Sequence, residues 1–251
     1  MQKMRKKRLR IFAGPNGSGK STLFEEFSKN YNTGYFINAD YIENILKTSG
    51  FIDLEDYNIN ATQKDLDSFF KKEEVQTLIE KSKNSGYIID IKIKENLIVD
   101  LSKSTHSYEG ALVAMFLREK LIENNDSFSF ETVMSHCSKL KEIEYAKKSG
   151  YATYLYFVCI DDPEINISRI ENRVNKGGHT VAEEKIVNRY SKTLENLYQA
   201  ISLCDKSYLF DNSGEEITLI AEIQEDSSLK LAVNEVDFPN WFKMYVLNHY
   251  I

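Results

Sequence analysis

Leu9-Arg10-Ile11-Phe12-Ala13-Gly14-Pro15-Asn16-Gly17-Ser18-Gly19-Lys20-Ser21 is the stretch from which the rest of the chain is read. Its first five residues form an apolar, strand-like run. The next eight match G-x-x-x-x-G-K-[ST] at every fixed position. A loop of this kind turns tightly on its glycines and points successive backbone N–H groups at one place, which suits phosphate oxygens. The helix expected from Lys20 to Ser28 adds the positive end of its dipole. Lys20 can reach the β- and γ-phosphates of ATP, and the Ser21 hydroxyl can bind Mg²⁺. The expected ATP-binding residues are therefore Gly14, Pro15, Asn16, Gly17, Ser18, Gly19, Lys20, Ser21 and Thr22, with Ser21 on the metal. A chance glycine turn would not follow a strand and open a helix. The motif alone does not choose between a kinase, a GTPase and a mechanical ATPase.

Outward from this loop, short apolar runs alternate with helical patterns, the signature of a parallel sheet covered on both faces. After Leu9–Ala13 the runs are Gly34–Asn38, Ser127–Glu131, Tyr154–Ile160 and Lys206–Phe210. Helices are expected over Glu109–Asn124, from Asp162-Pro163 onward, and from a capping box at Thr180 and Glu183 through Ile201. Residues 50–105 stand outside the alternation and read as an insertion. They hold one helical stretch, Gln63–Lys83, and a hairpin in Tyr87–Leu101 turning near Lys94-Glu95-Asn96. From Glu215 the tail reads as two strands and a helix after Pro239. The expectation is a single α/β domain over 1–251, with an insertion at about 50–105 and a small β/α extension at about 215–251.

Composition narrows the class. The 251 residues carry 32 basic and 38 acidic side chains, a net charge of −6, which argues against a nucleic-acid-binding surface over the whole chain. The basic run from Lys3 to Arg10 reads as a solubilising lead-in to the first strand. Cys137, Cys159 and Cys204 are odd in number and lack CxxC spacing, so neither a disulfide framework nor a zinc site is expected. No apolar run approaches the ~18 residues of a membrane span, and a cytoplasmic location is expected.

No NKxD-type guanine-reading loop and no LSGGQ-like signature is present, which lowers the GTPase and ABC-type readings. A small-molecule kinase needs a base for the acceptor hydroxyl, a substrate site, and basic groups for the migrating phosphoryl. Asp40, just past the second run, could be that base, or could cap the helix Tyr41–Lys47. Glu131 and Thr132, after the third run, could meet acceptor hydroxyls or the metal, or cap a helix near Val133. Arg169 and Arg173 share a helix face, Arg189 lies on the next helix, and Gly177-Gly178 between them suits a hinged lid. A regulatory P-loop ATPase that acts on a protein partner through the insertion is the alternative from another class.

With these residues assembled, the chain resembles the zeta toxin family and its chromosomal zeta-like relatives. The strings GPNGSGKST, INADYI, SFSFETVMSH, RIENRVNKGGHTVAEEKIVNRY and YLFDNS carry the resemblance, in that order. It implies an adenylate-kinase-like P-loop fold, with a five-stranded parallel sheet in the order 2-3-1-4-5 and helices on both faces. It also implies phosphorylation of the sugar of UDP-N-acetylglucosamine from ATP and Mg²⁺, and an antitoxin protein as partner. By position, Asp40 becomes the base and Glu131 a substrate-site carboxylate. Thr132 and Ser135 would line the sugar site. Lys20, Arg173 and Arg189 would contact the transferring phosphate. The insertion lies where the acceptor pocket would be completed.

Overall fold

The computed structural model describes residues 6–102, 104–175 and 183–250. Along the chain run β1 (Arg8–Ala13), α1 (Lys20–Asn30), β2 (Tyr35–Ile37), α2 (Ala39–Ser49), β3 (Phe51–Asp53), α3 (Gln63–Phe70), α4 (Glu73–Asn84), β4 (Ile91–Lys94), β5 (Leu97–Asp100) and α5 (Ser107–Glu123). They are followed by β6 (Phe128–Thr132), α6 (Ser138–Lys148), β7 (Ala152–Cys159), α7 (Pro163–Asn175), α8 (Glu183–Glu195), α9 (Leu197–Leu203), β8 (Lys206–Asp211), β9 (Thr218–Gln224), β10 (Leu229–Leu231) and α10 (Asn240–Tyr245). The chain divides into two compact units: residues 1–33 with 129–251, and residues 34–128.

In the first unit the strands lie in the order β10-β9-β8-β7-β1-β6. β7 pairs in parallel with β1 and with β8, and the tail then adds β9 and β10 antiparallel. The apolar character of β7 is explained by its central place, with Leu155, Phe157, Val158 and Cys159 fully buried. One face carries a row across three strands. Phe12, Tyr156 and Tyr208 are register partners, stacked with ring centroids 4.9 and 5.1 Å apart. Phe24 and Phe27 of α1 cover that row edge-on, at 5.1 and 5.7 Å from Phe12. On the other face Phe157 meets Trp241 of α10 at 5.8 Å.

Several expected elements are subdivided. The long helix expected to run on to Ile201 is α8 and α9, broken at Asn196, whose amide donates to the Met134 carbonyl (3.0 Å). Thr180, half of the expected capping box, lies outside the described residues. No helix starts near Val133. Met134 takes a left-handed φ of +59° with its N–H on Thr132 Oγ1 (3.1 Å), and α6 begins at Ser138.

In the second unit the insertion forms a three-stranded sheet, β3-β5-β4, antiparallel throughout. Ile52, Ile98 and Ile93 face one another in register and are all buried. The hairpin turns at Glu95-Asn96, both at positive φ as a primed two-residue turn requires. The Asn96 side chain accepts from the Ala61 N–H and donates to the Ile59 carbonyl, which fastens the turn to the preceding segment. Gln63–Lys83, expected as one helix, is α3 and α4 broken at Lys71-Lys72.

Glu109, in the first turn of α5, is fully buried. Its Oε2 lies 2.7 Å from His106 Nδ1, while its Oε1 has no partner among the described residues. Burial, with the negative charges of Asp100 and Glu43, pushes Glu109 up to about 7 against the backbone N–H groups that pull it down. Burial also holds His106 below its ordinary value. A carboxylic acid donating to a neutral imidazole satisfies both directions. Because Glu109 binds its proton more tightly folded than unfolded, the acid form's stabilisation is full below pH 4.5 and is lost as pH rises through about 7. His106 has the opposite sign, so Glu109→Gln isolates the carboxyl. Urea unfolding is expected to show Glu109→Gln gaining on wild type between about pH 5 and about pH 8; a constant difference would contradict the shared proton.

Candidate active site

The loop expected to hold phosphate, Gly14–Ser21, is built by close approach. A Cβ on Gly14 would lie 2.0 Å from the Val158 carbonyl oxygen, so only glycine lets the chain leave β1 against β7. The Gly14 N–H donates to the Thr132 carbonyl of β6 (3.3 Å), which ties the loop to the other neighbouring strand. Gly19 precedes α1 at φ +97°, and no side chain caps the helix there. A helix start without a side-chain cap is the kind of place where an anion binds.

Three of the expected site side chains converge at this end of the sheet. Lys20 is buried, donates from Nζ to the Pro15 carbonyl (2.8 Å) and lies 3.9 Å from Glu131 Oε1. Ser21 Oγ donates to Glu131 Oε2 at 2.9 Å. Glu131 therefore belongs with the phosphate loop, and it serves as no helix cap. The Ser21 hydroxyl and Glu131 carboxylate are hard oxygen donors of the kind Mg²⁺ takes, in a site that phosphates and waters would complete. Among the described residues no group of three or more His, Cys, Asp or Glu side chains could hold a metal by itself. Thr22 is exposed, and Ser135 is half-buried next to the Met134 turn.

Arg169 is half-buried on α7 and Arg189 exposed on α8. Gly177, Gly178 and the side chain of Arg173 lie outside the described residues.

In the second unit Asp40 occupies the first turn of α2 and is exposed. It is not the cap of that helix: Asn38 Oδ1 accepts from the N–H groups of Asp40 (2.9 Å) and Tyr41 (3.1 Å). The helix is set by its neighbour α5, where a Cβ on Gly110 would come within 2.6 Å of the Ala39 carbonyl oxygen and 2.8 Å of Glu43 Cβ. Sequence reasoning missed Asn38, because Asn and Asp cap equally well and the string Asn38-Ala39-Asp40 offers both. It also passed over Asn212, whose Nδ2 donates to the Ser18 carbonyl at 2.8 Å. The signals for Asn212 were its position at the end of the fifth apolar run and its place in the string YLFDNS.

Comparison with known proteins bears on the fold these sites occupy. No family model matches the chain. A protein of Haemophilus influenzae is 35% identical over 69 residues, which is 28% of this chain and 49% of that protein, so the chain spans about half the length of the curated relative it matches. The solved complex AvrRxo1-ORF1:AvrRxo1-ORF2 with sulphate ions superposes with a TM-score of 0.53 at 15% identity, over 93% of this chain and 63% of that one. The PezAT chromosomal toxin–antitoxin system of Streptococcus pneumoniae gives a TM-score of 0.50 at 14% identity, over 92% of this chain and 77% of that one. The chain shares their fold. The resemblance carried by the motifs is thus accompanied by a likeness in fold.

Gly110→Ala provides a test of how α2 is held. Alanine is about 1 kcal/mol better than glycine inside a helix. Overpacking against a backbone carbonyl costs about 1–3 kcal/mol. The expected outcome is a lower urea midpoint; a midpoint raised above wild type would show that α5 does not set the start of α2.

Proposed function

We propose that the protein is an ATP-dependent kinase of zeta toxin type, which transfers the γ-phosphoryl group to a sugar hydroxyl of a nucleotide-sugar such as UDP-N-acetylglucosamine. The observation that carries this reading is the grouping of Lys20, Ser21 and Glu131 beside an uncapped helix start. A cation, a hydroxyl and a carboxylate in that arrangement suit a triphosphate with its metal. Asp40 supports the other half of the reading, since Asn38 relieves it of capping and leaves its carboxylate exposed.

In the proposed reaction Asp40 accepts the proton of the acceptor hydroxyl. That oxygen bonds to the γ-phosphorus while the bond to the β,γ-bridging oxygen breaks, and ADP leaves. Lys20, with Arg173 and Arg189 or with Arg169, neutralises the charge on the migrating group. Ser21 and Glu131 are the residues that would hold Mg²⁺, which when bound screens the β- and γ-phosphate oxygens. Thr132 and Ser135 orient the sugar. This reading takes residues 1–251 as one kinase domain. It is located in the cytoplasm, and the toxin–antitoxin system among the similar structures supports an antitoxin partner.

A regulatory ATPase acting through a partner is the second reading. It is favoured by Tyr87 and Ile88 of the insertion, which are 44% and 75% exposed. Incubation with ATP, Mg²⁺ and a panel of nucleotide-sugars, followed by mass spectrometry, separates the two. The kinase reading expects a product heavier by one phosphoryl group, lost in Asp40→Ala and in Lys20→Ala. ADP formed without any phosphorylated sugar would favour the regulatory ATPase and defeat the kinase assignment.

A further inference from the structure

Within the first unit the C-terminal extension is joined to the expected phosphate loop by hydrogen bonds on either side of the Asp211–Asn212 peptide bond. Trp241 of α10 is buried, and its backbone N–H donates to Asp161 Oδ1 (2.9 Å) just past β7. Asn240 Nδ2 donates to the other oxygen of Asp161 (2.8 Å). The indole Nε1 donates to Asp211 Oδ1 (2.8 Å), the last residue of β8. Ser213 closes the group: its hydroxyl donates to Asp211 Oδ1 (2.9 Å) and accepts from the Asp161 N–H (2.9 Å). Two carboxylates at the ends of adjacent strands are thereby fixed by one helix.

Between Asp211 and Ser213 lies Asn212. Its backbone N–H donates to the Cys159 carbonyl (2.8 Å), and its side chain is turned back onto the loop, with Nδ2 donating to the Ser18 carbonyl (2.8 Å). The approach is tight, since a Cβ on Gly19 would lie 2.4 Å from Asn212 Nδ2. The Ser18–Gly19 peptide is planar, and in a trans peptide the C=O and N–H point in opposite directions. A donor that holds the Ser18 carbonyl on one side therefore aims the Gly19 N–H to the other, away from Asn212. We propose that Asn212 is a positioning residue for the phosphate loop, held by the C-terminal helix through Trp241 and Asp211. The extension is on this account part of the nucleotide site's framework. The proposal rests on the reading of Gly14–Ser21 as a nucleotide loop.

Titration of the full chain with mant-ATP and Mg²⁺, at a temperature where circular dichroism shows each variant folded, tests the proposal. Asn212→Ala and Asn212→Leu are expected to raise Kd roughly five- to ten-fold, the scale of one lost hydrogen bond and an unsatisfied buried carbonyl. Leucine keeps the branched shape, at a larger volume, and drops the donor, so a role in packing alone predicts near-normal binding by Asn212→Leu, and that result would overturn the proposal. Trp241→Phe keeps a buried ring without the indole N–H and is expected to weaken binding about three-fold. Binding by Asn212→Leu and Trp241→Phe within about two-fold of wild type, with Lys20→Ala impaired, would refute positioning while sparing the loop. Wild type that binds no mant-ATP, or Lys20→Ala that binds as wild type does, would instead remove the nucleotide reading and the positioning role with it.

Discussion

The contact on which the rest of this site depends is backbone against backbone: Gly14 lies so close to the Val158 carbonyl that a Cβ would sit 2.0 Å from its oxygen. It presses the loop leaving β1 onto the end of β7, and the Gly14 N–H bonds to Thr132 on the opposite side. With the loop pinned between two strand ends, Lys20 is buried under its own Pro15 carbonyl and Ser21 is delivered to Glu131. A side chain at position 14 would need the sheet to open. The stacked row of Phe12, Tyr156 and Tyr208, covered by α1, resists that opening.

Glu131 shows how one carboxylate can serve both charge balance and geometry. A buried ammonium is costly unless it is paired or hydrogen-bonded. Lys20 has both a carbonyl and a carboxylate at hand. The same carboxylate orients the Ser21 hydroxyl, so the cation and the hydroxyl expected to meet phosphate and metal are held as one unit. Asn212 does for the loop's backbone what Glu131 does for its side chains.

The parts legible in the sequence were those whose physics is local. The loop was legible because every fixed position has a conformational or chemical reason, and the hairpin because Ile91-Lys92-Ile93-Lys94 alternates into a Glu95-Asn96 turn. Helix breaks were not, since Lys71-Lys72 and Asn196 carry no proline or glycine, and the breaks come from tertiary contacts such as Asn196 to Met134. Capping at Asp40 was undecidable because Asn38 competes for the same role. The buried Glu109 and His106 pair was hidden because a glutamate in a first helical turn reads as a solvated charge. Arg173 and the Gly177-Gly178 hinge remain expectations of sequence alone.

The central claim is that the terminal phosphate of ATP goes to an alcohol rather than to water. Phosphorus NMR of the protein with ATP, Mg²⁺ and UDP-N-acetylglucosamine follows that phosphate directly. The account predicts a new phosphomonoester resonance growing in step with ADP and absent with Lys20→Ala. Inorganic phosphate appearing in step with ADP, with no monoester, would contradict it.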